Sequence, residues 1–261
     1  MQKVYFGSIY DWNYTLVSKA PSDEHKVANS ADLGITVNGY LPSGYGEYAF
    51  GIYNGEGYKK VGANLKDNTD FAYLGNLRIT PITGLTVGGS YMYNTVGRDK
   101  NLNGGANNPA YEKQQLMDAL IRLAYGPVDL NCEYIVKNVD FPNITDSNKT
   151  QEYTATGISI YPYISLKNYL PYDIQIVSCY DLWDESDRLA SDKARNKLAT
   201  STIGINYNFM LDETDTPAMQ LQLNYTNKKY DGDKSHSDYA DGKKDSAQIN
   251  LQLKWKFANT L

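Results

Sequence analysis

The sequence contains no run of about 18 consecutive apolar residues, the length that an α-helix needs to cross a lipid bilayer. It also has no excess of positive charge, since 25 Lys and Arg residues face 30 Asp and Glu residues and the net charge is -5. The first absence excludes a membrane protein built from helices, and the second argues against a general nucleic-acid binder. A chain of 261 residues is long enough for one large β domain.

Cysteine and histidine are scarce, with two residues of each. Cys132 and Cys179 fall on opposite faces of their predicted strands, so we expect neither a disulfide nor a shared metal site. His25 and His236 both fall in predicted loops, where we expect them to be solvated. A Ser/His hydrolase needs a base that a third group holds against the nucleophile, and the sequence shows no such arrangement. It therefore predicts no enzyme activity, no metal site and no cofactor.

The last predicted strand alternates between apolar and polar residues. Its apolar positions are Ala247, Ile249, Leu251, Leu253, Trp255 and Phe257, and its polar positions are Gln248, Asn250, Gln252, Lys254 and Lys256. A period of two places the two sets on opposite faces of a β-strand. The pattern recurs along the chain and is typical of a transmembrane β-barrel, with lipid outside and water inside.

The alternation divides the chain into strands of one domain that covers residues 1–261. The predicted strands are 4–17, 31–41, 46–54, 69–80, 84–95, 113–125, 128–139, 150–164, 171–183, 197–210, 217–227 and 245–257. Short links (42–45, 81–83, 126–127, 165–170, 211–216) alternate with long links (18–30, 55–68, 96–112, 140–149, 184–196, 228–244). Outer-membrane barrels combine short periplasmic turns with long extracellular loops, so the fold class is all-β, an antiparallel transmembrane β-barrel of roughly 12 strands.

Two of these strands carry specific expectations. Segment 4–17 places Val4, Phe6 and Leu16 on one face, which we expect to contact lipid. In strand 150–164 the alternation breaks around Gly157, and Pro162 cannot donate a ladder hydrogen bond. A β-bulge at this point is the simplest explanation.

The aromatic residues, which include 24 Tyr, fall into two belts at opposite strand ends. The periplasmic belt is Tyr48, Phe50, Tyr125, Tyr172, Tyr207, Phe209, Trp255 and Phe257. The outer belt is Phe71, Tyr73, Tyr91, Tyr93, Tyr134, Tyr153, Tyr180 and Tyr225. Two such belts are typical of a protein that crosses a bilayer. The alternative is a soluble β-sandwich, which would place aromatic residues at strand centres, in a core between two sheets.

Part of the sequence resembles the phosphate-selective porin O/P family. The segments that carry the resemblance are 31–42 (ADLGITVNGYLP), 46–58 (GEYAFGIYNGEGY), 77–81 (LRITP) and 84–91 (GLTVGGSY), so the similarity is clearest over residues 31–95. The resemblance implies an outer-membrane porin that assembles as a homotrimer. Members of the family have a larger barrel, which implies that this chain is a shortened relative or a fragment. They also end on an aromatic residue, whereas residues 258–261 follow Phe257 here.

The polar faces of the predicted strands define the candidate pore lining. We predict that Asp32, Glu47, Asn76, Arg78, Asp118, Arg122, Asp129, Glu133, Lys137, Gln175, Gln220, Gln222 and Gln252 line the pore. Selection of anions needs clustered Arg or Lys on the pore wall, whereas this wall mixes acids, bases and amides. The sequence therefore predicts passage of small hydrophilic solutes or ions without strong ion preference.

The sequence leaves two functions open for such a barrel. The first is a porin-like channel for passive diffusion, with outer-membrane lipid and small solutes as its partners. The second is a nonconducting barrel that presents its extracellular loops for binding or adhesion. A plugged lumen would favour the second, and the strand number does not decide between them.

Overall fold

The computed structural model describes residues 2–8, 19–57, 70–97, 111–142, 150–185, 196–211, 217–235 and 242–255. Its strands are β1 (Gln2–Lys3), β2 (Ala31–Asp32), β3 (Gly34–Tyr40), β4 (Gly46–Tyr53), β5 (Ala72–Ile82), β6 (Leu85–Gly97), β7 (Tyr111–Tyr125), β8 (Val128–Pro142), β9 (Thr150–Ser165), β10 (Asp173–Asp184), β11 (Lys197–Leu211), β12 (Pro217–Tyr230) and β13 (Ser246–Trp255). One short helix, α1 (Pro21–Glu24), and a 3₁₀ turn (Pro42–Gly44) complete the elements of this part of the chain. Neither is long or apolar enough to cross a membrane as a helix.

Strands β3 to β13 form one antiparallel sheet in which each strand pairs with its neighbours in sequence. The strand ends that border the links 41–45, 83–84, 126–127, 166–172 and 212–216 therefore lie together, at what we call the turn end. The strand ends that border the links 54–71, 98–110, 143–149, 185–196 and 231–245 lie at the opposite end, which we call the loop end. The prediction of an all-β, antiparallel fold is confirmed. Within the described residues, the edge strands β3 and β13 do not pair with each other.

The two faces of this sheet differ in chemistry and in exposure. On β11 and β12 the apolar side chains of Ile205 and Leu223 are 53% and 50% exposed, whereas Asn206 is 6% exposed and Gln222 is 0% exposed. Alternation along each strand places the two sets on opposite faces of the sheet. The sheet curls so that its polar face lies inside. The inner face is therefore polar and buried, and the outer face is apolar and exposed.

An inner segment, residues 2–8 and 19–32, lies against the inner face of the sheet. Strand β1 pairs with β2 inside the curl, through Gln2 with Asp32 and Lys3 with Ala31. The apolar cluster of the protein sits here, between this segment and the inner face. Its members are Val4, Phe6, Ala20, Val27, Ala28, Tyr53, Ala72, Leu74, Met92, Leu116, Ile135, Ala155 and Trp183.

This arrangement corrects the prediction that segment 4–17 is a lipid-facing strand. Val4 and Phe6 are buried in the inner cluster, residues 4–8 belong to no strand, and residues 9–17 lie outside the described part of the chain. The predicted loop 18–30 is also wrong for residues 19–30, which contain α1 and lie inside the curl. Alternation reports that one face is apolar, but not whether lipid or an internal apolar patch covers it.

The other predicted strands match β3 to β13 to within a few residues, but the predicted bulge in strand 150–164 is wrong. The register between β8 and β9 is continuous from Val128–Ile164 to Pro142–Thr150. Pro162 instead interrupts the ladder on the β10 side, between the pairs Val177–Tyr163 and Tyr180–Ile160. Proline removes one ladder donor without adding a residue, so the strand keeps its phase.

Most of the predicted aromatic belts lie exposed on the outer face. Exposed toward the turn end are Phe50, Tyr125, Tyr172, Tyr207, Phe209 and Trp255, and toward the loop end Phe71, Tyr73, Tyr91, Tyr134, Tyr180 and Tyr225. Tyr48 and Tyr93 are half-buried. The prediction that Tyr153 belongs to the outer belt is wrong, because its side chain packs against the inner cluster. Phe257 lies outside the described residues.

Candidate functional site

The predicted pore-lining residues of the main sheet share its inner face. They are Glu47, Asn76, Arg78, Asp118, Arg122, Asp129, Glu133, Lys137, Gln175, Gln220, Gln222 and Gln252, whose register pairs join inner position to inner position. Asp32 is different, because it lies in β2 of the inner segment. There its carboxylate accepts hydrogen bonds from the backbone N–H groups of Leu33 (2.7 Å) and Gly55 (2.8 Å). The role of these residues in a pore stays a prediction.

Polar side chains from the middle of β5 to β8 form a mid-strand cluster, which consists of Asn76, Arg78, Ser90, Asp118 and Glu133. All of them are buried, with exposures between 3% and 7%. Asn76 Nδ2 donates to Ser90 Oγ at 2.8 Å, and Ser90 Oγ donates to Asp118 Oδ1 at 3.4 Å. The cluster therefore contains one guanidinium and two carboxylates. The neutral side chains of Asn76 and Ser90 link the strands by hydrogen bonds.

The mid-strand cluster holds the inner segment at Gly7 and Ser8. Arg78 Nη2 donates to the Gly7 carbonyl oxygen at 2.5 Å, and the Gly7 N–H donates to Ser90 Oγ at 2.8 Å. Ser8 donates twice to Glu133, from its N–H at 3.2 Å and from its Oγ at 2.5 Å. Both residues therefore lie at mid-depth of the curled sheet, where they narrow the interior.

Gly7 adopts a backbone conformation that favours glycine, with φ at +54°. A Cβ atom at this position would lie 2.2 Å from Glu133 Oε1 and 3.3 Å from Asp118. The close approach of the backbone to the two carboxylates therefore requires a residue without a side chain.

Gly7 and Ser8 form a constriction in the interior, and two cavities lie on opposite sides of it. The turn-end cavity has a volume of about 280 Å³ and is lined by Ser8, Tyr40, Glu47, Arg78, Thr80, Thr86, Arg122, Asn131, Glu133 and Tyr161, among others. The loop-end cavity has a volume of about 330 Å³ and is lined by Val4, Lys19, Asp23, Glu24, Asp32, Asn94 and Gln114, among others. Among the described residues the two linings share no member.

Two pairs of opposite charges lie at the turn end. Arg122 is exposed and donates to Asp129 in a bidentate pair, with Nε–Oδ1 at 3.0 Å and Nη2–Oδ2 at 2.5 Å. Glu47 lies 4.0 Å from the Nε atom of Arg78. The wall is therefore mixed in charge, as expected from the sequence.

His25 contradicts the prediction of a solvated loop residue. Its side chain is 4% exposed, its Nε2 atom lies 2.5 Å from Asp181 Oδ2, and its ring stacks on Trp183 at a centroid distance of 4.7 Å. Ser159 donates to Asp181, so the aspartate lies between the serine and the histidine and the three do not form a nucleophile–base pair. A second contact, Lys228 Nζ to Glu24 Oε1 at 2.8 Å, ties the inner segment to β12.

Several of these residues could not be assigned a role from the sequence. Ser90 could be placed on the inner face by its phase in the strand, but Gly7, Ser8 and His25 could not. The only local signal was that Gly7 and Ser8 interrupt the apolar alternation after Phe6. His236 lies outside the described residues.

Neither metal nor disulfide chemistry is visible in the described part of the chain. It contains no group of His, Cys, Asp and Glu side chains that could hold a metal ion, and Cys132 and Cys179 are both free thiols. Comparisons of the sequence and the structure with protein-family models, curated proteins and solved structures found no match. The resemblance to the phosphate-selective porin O/P family therefore stays a prediction.

Proposed function

We propose that the chain is a porin-like channel of the bacterial outer membrane, through which small hydrophilic solutes or ions diffuse passively. The observation that carries the proposal is the distribution of side chains, with Ile205 and Leu223 exposed outside and Asn206 and Gln222 buried inside. In water this outer face would be a large exposed apolar surface, which soluble monomers rarely carry. In a bilayer it would contact lipid, and the aromatic belts would lie at the two interfaces.

The proposed route runs along the polar inner face. The turn-end and loop-end cavities supply space on either side of Gly7 and Ser8, so we infer that the narrowest point lies at the mid-strand cluster. Arg78 lies there with two carboxylates, and Arg122 is paired with Asp129. This wall carries no excess of positive charge, so the resemblance to a phosphate-selective family does not extend to strong anion selection.

The proposal requires that both edges of the sheet find partners in the membrane. Unpaired backbone N–H and C=O groups cost several kcal/mol each in lipid, so spanning sheets are closed. Strands β3 and β13 run in the same direction, because every neighbouring pair between them is antiparallel. A strand that joined both edges by antiparallel pairing would bring the total to twelve. The homotrimer that the resemblance implies stays a prediction.

The second candidate is a nonconducting barrel that presents its loops for binding or adhesion. The observation that favours it is the inner cluster. Val4 and Phe6 are 1% and 0% exposed there, in the same buried cluster as Leu116 and Ile135. Apolar packing of this kind would hold the inner segment in place as a plug.

Single-channel recording in a planar bilayer separates the two candidates. We expect the purified, folded protein to produce discrete conductance steps, and a heat-denatured sample of the same preparation to produce none. Folded protein that inserts but never conducts would reject the channel and leave the loop-presenting barrel.

A further inference from the structure

The turn-end cavity offers a space for a solute on the inner face of the sheet. Its lining comes from β3 to β9, from the turn after β3 and from Ser8 of the inner segment, which bounds it at the constriction. Its volume of about 280 Å³ lies just below the range of about 300–1,000 Å³ that is typical of small-molecule sites. The cavity therefore fits one small solute, of the size of a single sugar ring.

Neutral hydrogen-bonding side chains form one part of this lining. Thr80 Oγ1 and Thr86 Oγ1 lie 3.3 Å apart across the turn between β5 and β6, and either can donate to the other. Asn131 lies on β8, where its register partners are Arg122 and Tyr161. Thr80, Thr86 and Asn131 are half-buried, so a solute in the cavity can reach them. Hydroxyl and amide groups both donate and accept hydrogen bonds, so this part of the lining favours a solute that does the same.

Charged side chains of both signs form another part of the lining. It includes two guanidinium groups, those of Arg78 and Arg122, and two carboxyl groups, those of Glu47 and Glu133. An anion or a cation would therefore meet like charges as well as opposite ones. A neutral solute with hydroxyl groups can instead accept hydrogen bonds from the guanidinium groups and donate to the carboxylates, and hydrogen bonds to charged groups are the stronger ones.

Two tyrosines also line the cavity, Tyr40 of β3 and Tyr161 of β9. Their rings offer apolar surface against which the C–H groups of a sugar can pack, and their hydroxyl groups can form further hydrogen bonds. The lining thus matches a ring that carries hydroxyl groups around its edge and C–H groups on its faces.

We propose that the turn-end cavity is a binding subsite for a neutral polyhydroxylated solute of the size of a monosaccharide. The inference deepens the proposed channel and rests on it, because a solute bound here lies next to the constriction, in the path of the ions.

Block of the ion current by glucose tests the subsite. Glucose is added to both sides of a planar bilayer that contains the conducting protein, and the current is corrected for the lower conductivity of the bulk solution. We expect a saturable decrease, whose half-maximal glucose concentration is measured. Tetraethylene glycol, a neutral solute of similar mass with hydroxyl groups only at its ends, should give no saturable decrease.

The double variant Thr80→Val, Thr86→Val removes both hydroxyl groups from the lining and leaves its charges unchanged. The half-maximal glucose concentration should rise about tenfold, because about two hydrogen bonds to the sugar are lost. Both members of a hydrogen-bonded pair become apolar groups of the same shape, so we expect this variant to fold and conduct.

A second pair of threonines provides the matched control. Thr202 Oγ1 and Thr226 Oγ1 lie 2.9 Å apart on β11 and β12, and neither residue lines the turn-end cavity. The double variant Thr202→Val, Thr226→Val makes the same chemical change and should leave the half-maximal glucose concentration unchanged.

The possible outcomes distinguish the inference from the proposed function. An open channel in which glucose gives no saturable decrease, or in which phosphate or the zwitterion taurine acts at a lower concentration than glucose, would overturn the subsite and keep the channel. Equal half-maximal concentrations in the two double variants would do the same. The comparison of solutes needs no variant, so it can overturn the subsite by itself. A folded protein that never conducts would overturn the channel and, with it, the subsite.

Discussion

At the scale of single residues, consecutive side chains of one strand lie in opposite environments, one apolar and one polar. Leu251 lies on the outer face of β13 and pairs across the sheet with Leu223, whereas Gln252 lies on the inner face and pairs with Gln222. We expect Leu251→Arg to destabilise the protein by about 2–4 kcal/mol, because an arginine on the lipid face near the bilayer midplane costs that much. A refolding titration into lipid vesicles measures this difference.

Gln252→Arg is the matched control for that substitution. It places the same side chain one residue away, on the polar face, and should cost much less in the same titration. Equal costs for the two variants would contradict the assignment of the outer face to lipid.

Arg122 is the residue whose charge should influence ion preference. Its side chain is 47% exposed at the turn end and pairs with Asp129, so Arg122→Glu would leave two adjacent carboxylates. We expect the reversal potential in a salt gradient to shift toward cation selectivity. The shift should be larger at low salt, since the screening length is about 30 Å at 0.01 M and about 3 Å at 1 M.

Asp129→Asn removes the negative charge beside Arg122 and should move the reversal potential the opposite way. A conducting protein whose selectivity ignores both variants would show that this pair lies away from the constriction. Arg78→Glu is less informative, because Arg78 is 6% exposed and its loss would place a fourth carboxylate beside Glu47, Asp118 and Glu133.

The sequence predicted the faces of single residues well and their contacts poorly. A period of two determines which residues share a face. The predicted pore-lining residues of the main sheet, the first being Glu47 and the last Gln252, therefore lie together on the inner face. Contacts such as that between His25 and Asp181 join residues far apart in sequence. A local pattern carries no information about such pairs, and a lone histidine in a polar link therefore looked solvated.

At the scale of elements, the inner segment behaves differently from the strands around it. Apart from local bonds within residues 20–28, its described backbone pairing consists of β1 with β2 and of the Val4 N–H with the Ser30 carbonyl oxygen. Side chains of the sheet also hold it in position. The sequence predicted β3 to β13 because each has one polar and one apolar face. It did not predict the inner segment, because Val4 and Phe6 alternate like a lipid-facing strand although an internal apolar cluster covers them.

Gly7→Ala should loosen the inner segment and widen the constriction. The new methyl group would lie 2.2 Å from Glu133 Oε1, so Gly7 and Ser8 would have to leave the mid-strand cluster. We expect a larger single-channel conductance than in the unmodified protein, measured in the same salt.

Gly126→Ala is the control for the backbone part of this effect. Gly126 has nearly the same φ (+56°), but nothing lies within 4 Å of the position of a Cβ atom. Both variants carry the cost of a left-handed residue, about 1–2 kcal/mol, but only Gly7→Ala has the clash. Equal conductance in the two variants would show that the inner segment does not limit the current.

At the scale of the whole molecule, the order of the strands gives the sheet two chemically different ends. Because neighbours in sequence are neighbours in space, the strand ends that border links of two to seven residues share one end, and those that border links of seven to 18 residues share the other. The sequence could predict this, since link lengths follow directly from strand bounds. It could not predict how the edges β3 and β13 close, because closure depends on pairing between residues distant in the chain.

The proposed topology places the loop end outside the cell and the turn end in the periplasm. In a Cys132→Ala, Cys179→Ala background, Ser235→Cys in the link 231–245 should react with a membrane-impermeant maleimide on intact cells. Thr83→Cys in the turn between β5 and β6 should react only after the outer membrane is permeabilised, and that reaction is its control for accessibility. Both positions are exposed in the structure, so a difference in labelling reports the side of the membrane and not burial. Labelling of both cysteines on intact cells would contradict a chain that spans the membrane with its loop end outward.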